Sequence, residues 1–243
     1  TSGTVSDVGT VELQFQDTNG TTFDASNIDG AVDFGYFSNA AASNDATEIS
    51  NLENGSSVSF VDANGNFGNT SGAALDDNVT LSLANPGESD NSLSVSFDGA
   101  NGVANGTFGL DVSSDLETLN ATVASGADLD LSTGGSSISA DEIVVESADG
   151  NTQNLNLGTL PSDVSTVNAA NFAGDLTAST GSGAQTITGG SGADTLDAGD
   201  GADTVDAGSG GDTVTMRDAN DDLDGGDGTD ELVVNESGTL GGQ

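Results

Sequence analysis

TGSGAQTIT, GGSGADTLD, AGDGADTVD, AGSGGDTVT, MRDANDDLD and GGDGTDELV: residues 180–233 divide without a gap into six nonapeptides, starting at Thr180, Gly189, Ala198, Ala207, Met216 and Gly225. The eighth position is apolar in every copy: Ile187, Leu196, Val205, Val214, Leu223 and Leu232. Leu, Ile and Val are infrequent enough that six in register by chance has a probability of about 10⁻⁵. Position two is Gly in five of six copies, position four is Gly in five of six, and position six is Asp in five of six. The pattern is G-G-x-G-x-D-x-U-x, the signature of a parallel β-helix repeat.

Each position has a physical reading. The first six residues make a turn that needs glycine, and the last three make a short strand whose single apolar side chain points inward. Two nonapeptides complete one coil, so copies two apart stack. Stacking brings turn carbonyls and the sixth-position carboxylates of neighbouring coils around a shared gap. Several carbonyls and two carboxylates suit Ca²⁺, which accepts six to eight oxygen ligands at irregular geometry, better than the strictly octahedral Mg²⁺. The expected bridging pairs are Asp194/Asp212, Asp203/Asp221 and Asp212/Asp230. With the turn glycines Gly190, Gly192, Gly199, Gly201, Gly208, Gly210, Gly226 and Gly228, these form the candidate metal set. The 180/198 gap, where Gln185 faces Asp203, is expected to bind weakly or stay empty. In the fifth copy Arg217 and Ala219 replace the two glycines, which should disturb the turn. There the guanidinium, among Asp218, Asp221, Asp222 and Asp224, reads either as an ordinary exposed arginine or as a stand-in for part of a missing calcium charge. The remaining carboxylates of the block, Asp197, Asp200, Asp206, Asp224 and Asp227, read as solvated surface rather than ligands.

On these residues the block resembles the calcium-binding β-roll of repeats-in-toxin (RTX) proteins, which implies a Ca²⁺-dependent fold and a secreted protein. Upstream, Leu116-Glu117-Thr118-Leu119-Asn120-Ala121 echoes Val164-Ser165-Thr166-Val167-Asn168-Ala169, and a strand pattern follows each (129–131 and 176–178). These segments, running straight into the nonapeptides, resemble calcium-dependent bacterial S-layer proteins.

Further out, period-two alternation such as Leu93-Ser94-Val95-Ser96-Phe97 recurs between Asn-Gly and Asp-Gly steps, and helical periodicity is nearly absent. The chain therefore reads as all-β. Residues 1–113 hold eight of the nine Phe and the one Tyr, and predict a β-sandwich-like or irregular β-domain. Residues 114–179 predict solenoid coils, 180–234 the β-roll, and 235–243 a tail. Asp62-Ala63-Asn64-Gly65-Asn66 has the start of an EF-hand spacing without its later ligands, and is read as a hairpin turn.

Composition excludes much chemistry. Over 243 residues, 40 carboxylates (31 Asp, 9 Glu) face one cation, Arg217, for a formal net charge of −39. With no Lys and one Arg the chain has no means of gripping nucleic-acid phosphates. Without Cys or His there is no thiolate or imidazole for catalysis or for zinc. With 4% aromatics and no Trp, a glycosidase with an aromatic sugar platform is not expected either. No run of 18 apolar residues is present, so direct membrane insertion by a helix is not expected. The start at Thr1 without a leader suggests a processed product or a fragment. Leu, Val, Phe and Ile make up about 21% of residues, near the composition at which a highly charged chain stays disordered. A bound divalent cation is the natural offset to that self-repulsion.

The expected function is that of a secreted, calcium-stabilised, non-enzymatic structural protein that assembles with itself into an extracellular or cell-surface lattice or filament. A calcium-dependent adhesin segment that grips a glycan is the alternative, and a stability module of a secreted enzyme a third.

Overall fold

The computed structural model describes residues 10–15, 22–26, 28, 33–38, 47–62, 78–85, 89–99, 106–107, 109–112, 116–124, 129–131, 137–148 and 150–235. Its regular elements there are all β-strands, and all the pairings between them are parallel. Consecutive strands fall in different sheets, so each strand's partner lies one full coil further along the chain. That is a β-solenoid.

Three long sheets form its faces. The first has ten strands and runs the whole length, from Thr10–Phe15 to Asp222–Asp224. A five-stranded sheet covers a second face from Thr22–Asp24 to Ser137–Ile138. A seven-stranded sheet begins at Gly106–Thr107 and ends at Glu231–Val234. The cross-section is therefore two-faced at first, three-faced where the two shorter sheets overlap, and two-faced again through the nonapeptides.

The core is a set of columns running along the axis. On the long sheet Leu93, Leu119, Ile143, Val167, Ile187, Val205 and Leu223 stack in register. Ala178, Leu196 and Val214 form the facing column, and Leu232, in register with it on the last strand, is 55% exposed. Ile49, Leu81, Val112 and Ile138 line the five-stranded sheet. Within a strand the alternation is strict: in Thr118–Val123 buried Leu119, Ala121 and Val123 alternate with half-buried Thr118, Asn120 and Thr122. This is what a strand with one face on a core requires.

The coil shortens toward the nonapeptides. Along the long sheet Thr118 pairs with Glu142, Glu142 with Thr166, Thr166 with Thr186, Thr186 with Thr204 and Thr204 with Asp222. The step to the next coil is longer than two nonapeptides as far as Thr186, and equals two nonapeptides from there on. That final length is the one the block's spacing predicts. The 116/164 echo spans two coils, since Leu119 and Val167 both pair with Ile143. The coil between them, at Glu142–Ser147, lacks the motif but pairs with both neighbours.

The sandwich-like or irregular domain expected over 1–113 takes another form. Its described strands pair in parallel, Thr10–Phe15 with Asp33–Ser38 and that strand with Ser57–Asp62, in the same sheet as the nonapeptides. The physical reason is seen at the described Asn54-Gly55 step, which makes a corner here rather than a hairpin. At Asn54-Gly55 the glycine sits at φ +80°, and Asn54 Oδ1 accepts the Ser92 N–H of the next coil at 2.9 Å. Asp62-Ala63-Asn64-Gly65-Asn66 lies, beyond Asp62, outside the described residues.

Candidate metal centre

Each nonapeptide turn stacks on the turn two copies earlier, and the glycines are what permits the approach. A Cβ on Gly208 would lie 2.2 Å from the Gly190 carbonyl oxygen, and one on Gly226 only 1.9 Å from that of Gly208. At position four the same holds for Gly210 over Gly192 (2.0 Å) and Gly228 over Gly210 (1.7 Å). On the other side of the roll Gly199 and Gly201 stack on Gly181 and Gly183 at 1.9 and 1.6 Å. Gly199 also sits at φ +80°, where a side chain is strained. Gly190 and Gly192 rest in turn on the Phe172 and Gly174 carbonyls, so the turn column continues one coil upstream of the repeats.

The sixth-position side chains form two columns. In one, the Asp194 N–H donates to Asp212 Oδ1 at 2.8 Å and the Asp212 N–H to Asp230 Oδ1 at 3.0 Å. In the other, the Gln185 N–H donates to Asp203 Oδ1 at 2.8 Å and the Asp203 N–H to Asp221 Oδ1 at 3.1 Å. The structure thus brings together the partners of all three expected pairs. Asp194, Asp203 and Asp212 are each 1% exposed; Asp221 is half-buried and Asp230 exposed. Burial pushes the Asp194 carboxyl up to about 6, against the pull of the Gly190 and Leu176 N–H groups, and the charges of Asp212 and Asp175 add to the rise. Asp203 and Asp212 are raised for the same first reason, with further repulsion from Asp221 and Asp230 respectively.

Among the described residues two buried side-chain oxygens have no hydrogen-bond partner, Asp203 Oδ2 and Asp212 Oδ2. An ionised oxygen in that position costs far more than a neutral one unless a cation meets it. The donors are all oxygen, and among the described residues no three carboxylates converge on one point, so carbonyls complete any shell. Buried carboxylate oxygens beside stacked turn carbonyls fit a hard divalent cation of flexible coordination, which is Ca²⁺. Asp194, Asp203, Asp212, Asp221 and Asp230, with the turn carbonyls, would hold it. When bound, the ion supplies the positive charge that lets these carboxylates stay ionised and stacked.

At the 180/198 gap the buried Gln185 side chain takes a different part. Oriented with its amide nitrogen inward, it donates to Asp203 Oδ1 at 3.2 Å and to the Gly183 carbonyl at 3.0 Å. An uncharged donor thereby links a carboxylate and a carbonyl, the two kinds of oxygen that a cation would join.

The fifth copy departs from the others as its sequence suggests. The N–H groups of Arg217 and Asp218 turn inward to Asp221 Oδ2 at 3.3 and 3.1 Å. The guanidinium does not settle among the carboxylates of its own turn. It reaches Asp197, with Nε on Oδ1 at 2.7 Å and Nη2 on Oδ2 at 2.5 Å. Burial pushes Asp197 up, but the Arg217 hydrogen bonds, the Gly199 N–H and the guanidinium charge outweigh it and hold the carboxyl below its ordinary value. The reading of Asp197 as plain solvated surface is thus corrected, because the sequence does not show that a side chain from a later coil folds back to it. Asp200 and Asp227 are exposed.

Among the described residues no helix is long and apolar enough to cross a membrane. Comparison with curated proteins and with solved structures gives no match. Residues 179–214 match the family model of the RTX calcium-binding nonapeptide repeat, in four copies. Repeats of that family bind Ca²⁺, and over these residues, well under half of its length, the chain carries RTX-type calcium-binding repeats.

Proposed function

We propose that the chain is an extracellular structural protein, without catalytic activity, that assembles with copies of itself into a lattice or filament when calcium is present. What supports this reading is the continuous parallel ladder from Thr10–Phe15 to Asp222–Asp224. A rod built coil upon coil by backbone pairing extends naturally by more of the same pairing, and there is no Lys and almost no Pro to blunt a strand edge. Its charge sets the condition. Three gap ions would supply +6 against −39, leaving more than 30 negative charges that repel other copies within a Debye length of about 8 Å. Ordered packing then needs calcium at contacts between copies, since calcium bridges particular carboxylates whereas sodium only screens.

Light scattering during parallel CaCl₂ and NaCl titrations at matched ionic strength, followed by electron microscopy, tests this. Assembly with calcium and little with sodium is the expected result. Equal assembly in both salts would assign it to screening alone. A chain that stays monomeric at millimolar calcium would overturn the assembly reading in favour of a glycan-binding adhesin segment or a stability module.

A further inference from the structure

The nonapeptides differ at their ninth position in a way the repeat pattern leaves free. It is Asp in the copies at 189, 198 and 216 (Asp197, Asp206, Asp224), and Thr in the copies at 180 and 207 (Thr188, Thr215). The next copy's second residue always follows two positions later, and its N–H has two possible acceptors. Where the ninth residue is Asp, the N–H stays local. Gly199 donates to Asp197 Oδ1 at 3.1 Å, Gly208 to Asp206 Oδ1 at 3.2 Å and Gly226 to Asp224 Oδ1 at 3.0 Å. Where it is Thr, the N–H goes forward to the sixth-position carboxylate. Gly190 donates to Asp194 Oδ2 at 2.8 Å and Arg217 to Asp221 Oδ2 at 3.3 Å.

The consequence appears at the carboxylates. Asp203 and Asp212, which follow Asp197 and Asp206, are the two whose buried Oδ2 has no partner. Asp194 and Asp221, which follow Thr188 and Thr215, have theirs engaged. All five copies that carry a sixth-position Asp obey the same division in where the N–H goes.

We propose that the ninth residue of each nonapeptide is a positioning residue for calcium: an Asp there retains the turn N–H in an Asx-type bond and leaves the next copy's sixth-position oxygen free for the ion. A Thr there lets the N–H occupy that oxygen, and calcium must displace it. The roll thereby carries graded ligands: Asp203 and Asp212 present a free oxygen, whereas Asp194 and Asp221 must first give up a hydrogen bond. The inference rests on calcium binding by the repeats and is independent of self-assembly. What the ninth residue supplies is an acceptor, not a charge, because Asn accepts from the same N–H as well as Asp does.

That distinction makes the test. Calcium isotherms would be measured on the full chain and on Asp206→Ala, Asp206→Asn and Thr188→Asn. Asp206→Ala should weaken one site by about tenfold, the loss expected when a charged oxygen is taken by an N–H. Asp206→Asn should stay close to the unaltered chain, and Thr188→Asn, which adds an acceptor and no charge, should tighten one site. Equal weakening by Asp206→Ala and Asp206→Asn would overturn the proposal in favour of simple charge. So would a Thr188→Asn isotherm that matches the unaltered chain. If Asp206→Ala fails to recover its β circular-dichroism signal even in saturating calcium, the Thr188→Asn result decides. An unaltered chain that binds no calcium at all would instead count against the calcium reading itself.

Discussion

The coils before the nonapeptides and the coils made of them share one ladder but rest on different physics. The coil that begins at Leu116 buries Leu116, Leu119, Ala121, Val123, Leu131, Ile138 and Ala140 before the next starts at Asp141. The coil that begins at Gly189 buries Leu196, Ala198 and Val205, two of them at the repeat's eighth position and one an alanine, together with the carboxylates Asp194 and Asp203. The third face ends at Ser137–Ile138, upstream of the nonapeptides, and the shorter two-faced coil keeps few of the apolar side chains that fill the longer one. Burial of apolar surface holds the first kind of coil whatever the solution contains. The second kind has exchanged that for a column of like charges, which calcium would join.

The strongest way to break this contrast is to remove calcium. With EGTA at low salt, hydrogen exchange should become fast at the amides of Thr186–Val234 while those of Leu119, Val145 and Val167 stay protected. Equal protection with and without EGTA would show that the block holds itself together. The converse substitution is Ile143→Ala, which empties a fully buried position of the long column. It should cost about 2–5 kcal/mol, and the same amount with calcium or without. A cost that grows on chelation would mean that the two regions unfold as one cooperative unit.

Within the block, Asp212 should be the most sensitive carboxylate. It is the only one that the stacking places between two others of its column, receiving the Asp194 N–H and donating its own to Asp230. Asp212→Ala removes a ligand from two gaps, whereas Asp194→Ala or Asp230→Ala removes one from one. Calcium stoichiometry by equilibrium dialysis should therefore fall further for Asp212→Ala than for either neighbour. Equal losses would mean that each gap relies on one carboxylate.

How much of this could be read from the chain follows from the same contrast. In the nonapeptides every coil has the same length, so the apolar column, the stacked glycines and the carboxylate pairs are all legible. Upstream, Thr10 pairs with Asp33, Asp33 with Ser57 and Ser57 with Ser94, unequal steps of which the last is much the longest. A repeat of changing length leaves no register to detect. There the corner at Asn54-Gly55 reads as a hairpin, because a hairpin and a coil corner demand the same φ. The coil at Glu142 stays hidden for a different reason, its Ile143-Val144-Val145 run lacking the alternation of its neighbours. In the block itself the ninth position escapes notice, since an Asp at a turn looks like solvated surface until its acceptor and the competing one are seen together. The Arg217–Asp197 pair is likewise out of reach, being a side-chain contact between successive coils.

Acidity separates the regions in a second way. The calcium-free Asp194 carboxyl lies at about 6 in the folded chain against 3.8 for the free side chain, chiefly because it is buried. The folded form thus holds the proton more tightly than the unfolded one, and this contribution to stability is fully present below about pH 4 and lost as the pH rises through about 6. Asp203 and Asp212 are raised in the same direction. Without calcium the block should therefore melt at a higher temperature at pH 5 than at pH 7, while calcium affinity, which needs the ionised form, should move the opposite way. Asp194→Asn should lose part of the calcium-free pH dependence. If it keeps all of it, general self-repulsion rather than this buried carboxyl is responsible.

The smallest expected effect concerns the chain's one cation. Arg217 and Asp197 form a two-pronged pair, but their side chains are 36% and 20% exposed, and pairs open to water to that extent contribute about 1 kcal/mol or less. Their interest lies in position, because Asp197 also accepts the Gly199 N–H and so sits at the head of the turn that carries Asp203. With the guanidinium gone, Asp197 keeps that bond and loses the hydrogen bonds and the charge of Arg217 that hold its carboxyl below the ordinary range. Arg217→Gln should therefore lower the melting temperature in calcium by no more than a few degrees. It should leave the affinity of the Asp203 site nearly unchanged, and bring the acid limb of stability up toward the ordinary titration range of an aspartate. The sign follows from the pair. A carboxylate held low stabilises the fold above its unfolded value and loses that contribution as the pH falls through its folded value. Melting curves between pH 3 and 6, in calcium and on both chains, would show the difference. A calcium affinity that collapses in Arg217→Gln would mean that the lone cation works as part of the metal column, as a charge the ions depend on, rather than as a clasp between two coils.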